Sequence, residues 1–174
     1  MNRFLSEENI NLHRDYVNVK RLKYSIIESS VPALRGAEIQ DVYRMKIRER
    51  DKRDALDLLS EISAHDVFFS SFSQSQFPRS EMVRAEYGSE ANFLNLLYKH
   101  AMKLPYGFVL VYLIGGRIKV LSTADFVSAL RYELPLLAID ACEHSYFMDY
   151  GFDKERYLLS LLPYLDIAKL SARV

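Results

Sequence analysis

The 174-residue sequence contains no tryptophan and a single cysteine, Cys142. One thiol excludes an intrachain disulfide and any cysteine-based metal cluster, and its apolar, aromatic neighbours suggest a small buried hydrophobe. Net charge is missing as well. The 23 basic residues balance 23 acidic ones, so nothing in the total favours nucleic acid or an anionic membrane surface. No apolar run approaches the roughly 18 residues of a membrane span, and there is no internal repeat or low-complexity segment. Met1-Asn2-Arg3-Phe4-Leu5 runs almost at once into Glu7 and Glu8. That start is unlike a signal or transit segment, so a cytoplasmic, reducing setting is expected. What is present is ordinary globular composition, 49% hydrophobic and 26% charged, with length for one or two small domains and a sizeable core.

Helical spacing dominates the first half. Ser6 before Glu7 and Glu8 reads as an N-cap with an acidic first turn. The pattern then runs to about Ser30, with Ile10, Tyr16, Val17, Leu22 and Ile26 among its apolar positions and Pro32 just beyond. A second long helical stretch is expected over 38–72, with a break near Asp51 or Lys52. Its charge run from Lys46 to Arg53 has both signs and reads as a solvated face rather than an RNA contact. Its second part carries Leu58, Leu59, Ile62, His65, Phe68, Phe69 and Phe72 as a wide apolar stripe. The segment 71–80 reads as a loop, which sets expected domains of 1–75 and 76–174. Beyond it come a short helix to about Glu86, a helix from Glu90 to about Lys103, and strands over 107–114 and 117–123 joined at Gly115-Gly116. A third strand is expected in the apolar run Leu134–Ile139. A last helix is expected over 153–170, kinked or divided at Pro163. Helices followed by a small three-stranded antiparallel sheet make an α+β fold: an N-terminal helical hairpin and a C-terminal α/β domain.

The third strand also carries the chemistry. It ends on Asp140, and His144 follows four residues later. A strand running straight into a turn can aim both groups at one point, and both are residue types that bind zinc or a redox metal. The spacing alone is equally that of an i, i+4 surface pair, and Asp140 could instead cap a helix.

The run Ile139-Asp140-Ala141-Cys142-Glu143-His144-Ser145-Tyr146-Phe147-Met148-Asp149-Tyr150 resembles the C-terminal signature of iron/manganese superoxide dismutases, D-x-W-E-H followed by aromatics and D-Y. Cys142 stands in the tryptophan's place. Two weaker matches precede it. Leu5 to His13 resembles the family's I-S-x-E-T-x-x-x-H, and Ala64-His65-Asp66-Val67-Phe68-Phe69 resembles its N-H-x-F-Y-W. The resemblance implies an Fe or Mn ion held by His13, His65, Asp140 and His144. It also implies superoxide as substrate, no membrane or nucleic-acid partner, and a homodimer with Glu143 near its interface. Arg14, Lys20 and Arg21 are candidates for drawing in the anion.

The departures fall around those ligands, where a metal site is tuned. Family members carry a histidine and a tyrosine soon after the first ligand. A local deletion would align Tyr16 with the tyrosine and remove the histidine; without it, Val17 and Arg21 stand at the two positions. Iron-type members place a glutamine four residues before the second histidine, where this chain has Glu61. Ionised, Glu61 would repel superoxide; protonated, it could mimic the amide. Manganese-type members draw the glutamine from before the first strand, where this chain has Lys103-Leu104-Pro105-Tyr106. Phe69, Phe108, Leu110 and Cys142 take the places of tryptophans, and Phe147 lacks the usual hydroxyl. Tyr16 and Glu61 are therefore the candidate catalytic residues. A dismutase is the leading expectation. The alternatives are a dismutase-fold structural or binding protein without turnover, and zinc hydrolysis or non-haem iron chemistry at the same ligands.

Overall fold

The computed structural model describes residues 4–131 and 133–171. Helix α1 spans Glu7–Ser30 and starts where its cap signal says, with Ser6 Oγ accepting from Asn9 N–H at 3.1 Å. Val17 and His13 face inward, while Leu22 and Ile26 point to solvent. The expected second helix is two. Helix α2 covers Ile39–Arg44 and α3 covers Glu49–Ser70, separated by an extended turn that begins at Met45. The break precedes its expected position because Lys52 belongs to α3. Its Nζ reaches back to the carbonyls of Tyr43 and Met45, at 2.7 and 3.1 Å, and satisfies the end of α2. α3 packs antiparallel on α1, and Tyr24 Oη bonds to Leu34 O at 3.1 Å across the connection.

Helices α4 (Glu81–Tyr87) and α5 (Glu90–Lys103) lead into strands β1 (Phe108–Ile114) and β2 (Arg117–Thr123). A single-turn helix, α6 (Phe126–Ala129), has no counterpart in the sequence reading. Strand β3 is Leu137–Asp140, starting three residues later than expected and including the aspartate. The sheet order is β2-β1-β3, all antiparallel. β1 is central and buried from Phe108 to Tyr112, so it reads as a continuous apolar run rather than an alternating one. After a short 3₁₀ turn at Glu143–Ser145 come α7 (Phe147–Tyr150) and α8 (Lys154–Leu161). Pro163 sits in the 3₁₀ turn that ends α8, so the expected last helix is divided there.

Three contacts fix where β3 ends. Phe108 pairs with Asp140 across the sheet, Tyr157 Oη donates to Asp140 O at 3.0 Å, and Gly107 O accepts Ala141 N–H at 2.8 Å. Gly107 has φ +115°, and a Cβ there would run into the Thr123 carbonyl. Gly107→Ala should therefore lower unfolding free energy by about 2 kcal/mol or more, read by denaturant titration. A change near zero would show that β1 can shift without disturbing the end of β3.

Candidate metal centre

Four side chains distant in sequence meet where α1, α3 and β3 touch. His13 comes from the middle of α1, His65 from α3, Asp140 from the last position of β3, and His144 from the 3₁₀ turn that follows. One ligand-capable atom from each lies within 4.8 Å of the other three. The Nε2 atoms of His13, His65 and His144 stand 3.3, 3.5 and 3.2 Å from Asp140 Oδ2. His13, His65 and Asp140 are buried, and His144 is partly open.

The protons available do not satisfy this cluster. His65 Nδ1 lies 2.6 Å from the carbonyl of Glu61 one turn earlier, so Nδ1 carries the proton and Nε2 presents a lone pair. That lone pair faces Asp140 Oδ2, another acceptor, and His144 Nε2 at 3.3 Å. His13 Nε2 is near Oδ2 but not aligned for a hydrogen bond, and both its ring nitrogens and Oδ2 itself lack hydrogen-bond partners. A buried carboxylate oxygen without a hydrogen-bond partner, facing three imidazole nitrogens of which His65 Nε2 presents a lone pair, is an arrangement that a cation resolves. Imidazole nitrogens with one carboxylate suit Fe, Mn or Zn, so the residues present fit a metal ion.

The electrostatics agree. Burial would raise the Asp140 pKa, but the close imidazoles of His13 and His144, with His65 beside them, outweigh it and hold the carboxyl well below its ordinary range. Burial pushes His65 down despite the nearby Asp140, keeping it neutral. For His144 burial also pushes down, but Asp140 outweighs it and the net direction is up. Asp140 Oδ1 is occupied by Cys142 N–H at 2.8 Å, leaving Oδ2 for the cluster.

A cleft of about 540 Å³ opens beside His65 and His144 and is also lined by Tyr16, Glu61, Phe108 and Glu143. Tyr16 stacks on the His144 ring at 4.6 Å between centroids and donates its hydroxyl to Glu61 Oε1. Lys20 Nζ lies 2.8 Å from Glu61 Oε2 and 4.9 Å from the Tyr16 ring centre. Burial would raise Glu61, but the hydrogen bonds from Lys20 and Tyr16 outweigh it and hold its pKa below 4.5. Glu61 is therefore an anion neutralised by Lys20, which answers the question its position raised. Burial and the Glu61 contact push the Tyr16 phenol up to about 12. Of the other cations, Arg21 pairs with Asp66 and Arg14 sits over Phe69 at 5.7 Å, both away from the cleft. Val17 is buried in the core. Tyr16, and neither Val17 nor Arg21, borders the four-residue cluster.

Phe69 and Phe108 sit at 4.9 Å from His13 and 5.0 Å from His65, ring centre to ring centre. Two residues escaped the sequence reading. Asn9, one turn before His13, is fully buried with both polar side-chain atoms unpartnered, and Ser145 Oγ beside His144 is likewise buried and unpartnered. Ser6, Asn9 and His13 share the side of α1 that meets the 143–149 segment, where Ser6 N–H donates to Asp149 at 2.7 Å. The only sequence signal was Asn9's place in the first-helix resemblance. The fourth histidine, His100, is elsewhere, 2.6 Å from Ser122 Oγ.

Residues 75–173, more than half of the chain, match the family model for the C-terminal domain of iron/manganese superoxide dismutases. The chain belongs to that family, and its helical N-terminal region followed by a three-stranded antiparallel sheet is the α+β fold expected of it. Among curated proteins it is similar to an iron superoxide dismutase of Arabidopsis thaliana, named as chloroplastic, at 26% identity over 116 residues. That match covers 61% of this chain and 44% of the relative, so the chain spans under half of that protein's length. No described helix is long and apolar enough to cross a membrane.

Lys20→Ala should destabilise the fold by about 1–2 kcal/mol at neutral pH, between a surface and a buried ion pair. The sign follows from both partners. The Glu61 pKa is lowered, so its share is present above 4.5 and lost as acid protonates it. Burial opposes the Lys20 charge but Glu61 outweighs it and raises the pKa, so that share is lost only above 10.5. The stability gap between wild type and variant should narrow in acid. A gap unchanged at low pH would mean that packing, not charge, accounts for it.

Proposed function

We propose that the chain is an Fe- or Mn-dependent dismutase that converts superoxide to dioxygen and hydrogen peroxide, with His13, His65, Asp140 and His144 as metal ligands. The observation that supports it is the meeting of three imidazole nitrogens and one carboxylate oxygen, of which His13 Nε2 and Asp140 Oδ2 have no hydrogen-bond partner. When bound, the ion supplies a one-electron couple: one superoxide gives up an electron and leaves as dioxygen, and a second takes that electron with two protons and leaves as hydrogen peroxide.

The chain's own groups have distinct tasks in this reading. Asp140, held ionised, adds a negative charge that favours the higher oxidation state. The Glu61 carbonyl fixes the His65 tautomer with Nε2 toward the site. The Glu61 carboxylate holds the Tyr16 hydroxyl, and so the ring, against His144. Lys20 cancels the Glu61 charge, so that the carboxylate does not turn away an anionic substrate. Tyr16 stays protonated at neutral pH, bordering the cleft as a hydrogen-bonding group. A homodimer belongs to this reading, since Glu143 and the exposed Tyr106 border the cleft and the paired rings of Phe147 and Phe152, in the segment that follows, are also open. So does a cytoplasmic location, which suits a lone thiol; the chloroplast label stays with the Arabidopsis protein.

Element analysis of protein purified without added metal should find Fe or Mn near one per chain, and that form should consume superoxide. His65→Ala should lose the metal and keep its helical circular dichroism. Zinc with hydrolytic activity would redirect the reading to another reaction at the same ligands. No metal uptake on reconstitution would leave a dismutase-fold scaffold.

A further inference from the structure

A second hollow, of about 470 Å³, lies between α5, α8 and the 71–80 loop, and it shares no residue with the cleft beside His144. That volume is within the range of small-molecule sites. Its walls are mostly apolar, with Phe77 and Pro78 from the loop, Ala91 and Leu94 from α5, Leu159 from α8 and Leu162 just beyond it. Phe77 and Leu159 are 64% and 58% exposed, so two large apolar groups stand open on these walls.

The loop is fixed against the turn that follows α8. Ser73 N–H donates to Tyr164 O at 2.8 Å, Phe77 N–H to Pro163 O at 2.6 Å, and Asp166 N–H to Ser71 O at 2.8 Å. The hollow is thus formed before any ligand arrives. Phe77 is the only non-glycine among the described residues with a positive φ, +54°. That conformation is unfavourable for a bulky side chain, and here it leaves the ring in water rather than in the core. A glycine or asparagine would meet the same backbone requirement at less cost, so the bond to Pro163 does not account for the ring. A group seated against it would.

The charge at the rim says what that group carries. Two carboxylates, Glu90 and Glu155, line the hollow, and no lysine or arginine does. Glu90 is neutralised by Arg84 Nη2 at 2.9 Å. Glu155 is exposed, Tyr98 Oη donates to its Oε1 at 3.1 Å, and no cation pairs with it among the described residues. Its Oε2 remains free to accept, and the Tyr98 and Phe77 rings that line the same hollow offer π faces that favour a cation. An anionic ligand would be repelled by Glu155, and a neutral apolar one would leave the carboxylate unused.

We propose that this hollow is a binding site for a small amphipathic amine, one ammonium on an aryl or branched alkyl body, with the ammonium on Glu155 and the body against Phe77, Leu94 and Leu159. The site is separate from the metal centre, and its occupancy does not depend on metal content.

Calorimetric titration at low ionic strength tests it with three probes of one shape: phenylbutylamine, phenylbutanol and phenylbutyrate. The amine should bind saturably and about tenfold more tightly than the carboxylate, with the alcohol between them. Glu155→Gln should bring the amine to the alcohol's affinity and leave the alcohol unchanged. Ala91→Phe, an exposed position whose new ring would occupy the hollow, should abolish binding of all three. Circular dichroism confirms that both variants fold. Amide NMR shifts on adding the amine should centre on 77–78, 91–98 and 155–162. Absence of saturable amine binding at millimolar concentration overturns the proposal, as does a carboxylate bound as tightly as the amine, an Ala91→Phe variant that binds normally, or shifts centred on the His144 cleft. Amine affinity unmoved by Glu155→Gln would overturn the placing of the ammonium.

Discussion

One carboxylate oxygen organises this protein. Asp140 Oδ2 is fully buried and lies within 3.5 Å of three imidazole nitrogens. An anion taken out of water is costly unless something of opposite charge replaces the solvent, and no lysine or arginine reaches Oδ2 among the described contacts. The fold nevertheless goes to some length to put it there. β3 is held by its register with β1, by Tyr157 on the Asp140 carbonyl, and by Ser71 Oγ accepting Ala138 N–H at 2.8 Å. The single-residue approach at Gly107 then lets the chain turn at once into the segment that supplies His144. A carboxylate so firmly placed and so incompletely paired makes sense when its partner arrives from outside the chain.

The groups around that oxygen are coupled to one another. Glu61 stands where the resemblance places a neutral amide, and a lysine one turn after Tyr16 neutralises it. The result is a closed group of Tyr16, Lys20 and Glu61 in which each member explains the others. Tyr16 is three residues after His13 and Lys20 seven, so both fall on the side of α1 that faces α3, where Glu61 is one turn before His65. Glu61 alone would repel an anion; the Lys20 pair makes it electrically silent at neutral pH. Phe69 and Phe108, where the resemblance places tryptophans, pack edge or tilt against the imidazoles, so the rings are held by aromatic contact.

Much of this was readable in advance, and the reason is locality. The Ser6 cap, the Gly115-Gly116 hairpin and the D-x-x-x-H junction are patterns within a few residues, and each appears where its pattern lies. What could not be read depends on reach. Lys52 ends α2 from within α3, so the helix breaks over 45–48, at the start of the charge run, rather than at Asp51 or Lys52. α6 is a single turn capped by Asp125, too short for periodicity to register. Lys20 was one of three equal candidates until packing gave Arg14 to Phe69, Arg21 to Asp66 and Lys20 to Glu61. Asn9 is buried with both polar atoms unpartnered, which a polar residue in the first turn of a helix does not announce.

α1 also shows why hydrophobic periodicity misleads when a helix has two jobs. Its inner side carries His13 and Val17, polar and apolar alike because it lines a site as well as a core. Its outer side carries Leu12, Val19, Leu22 and Ile26, apolar although open. Counting apolar positions merges the two faces into one weak pattern, and Leu22 and Ile26 then pass for core. The two sides are not independent, because a helix is stiff over its length. His13, Tyr16 and Lys20 all ride on α1, and their distances to Asp140, His144 and Glu61 depend on its placement against α3. Any contact along the outer line that restrains α1 would restrain all three at once, linking the surface of this helix to the geometry of the buried carboxylate.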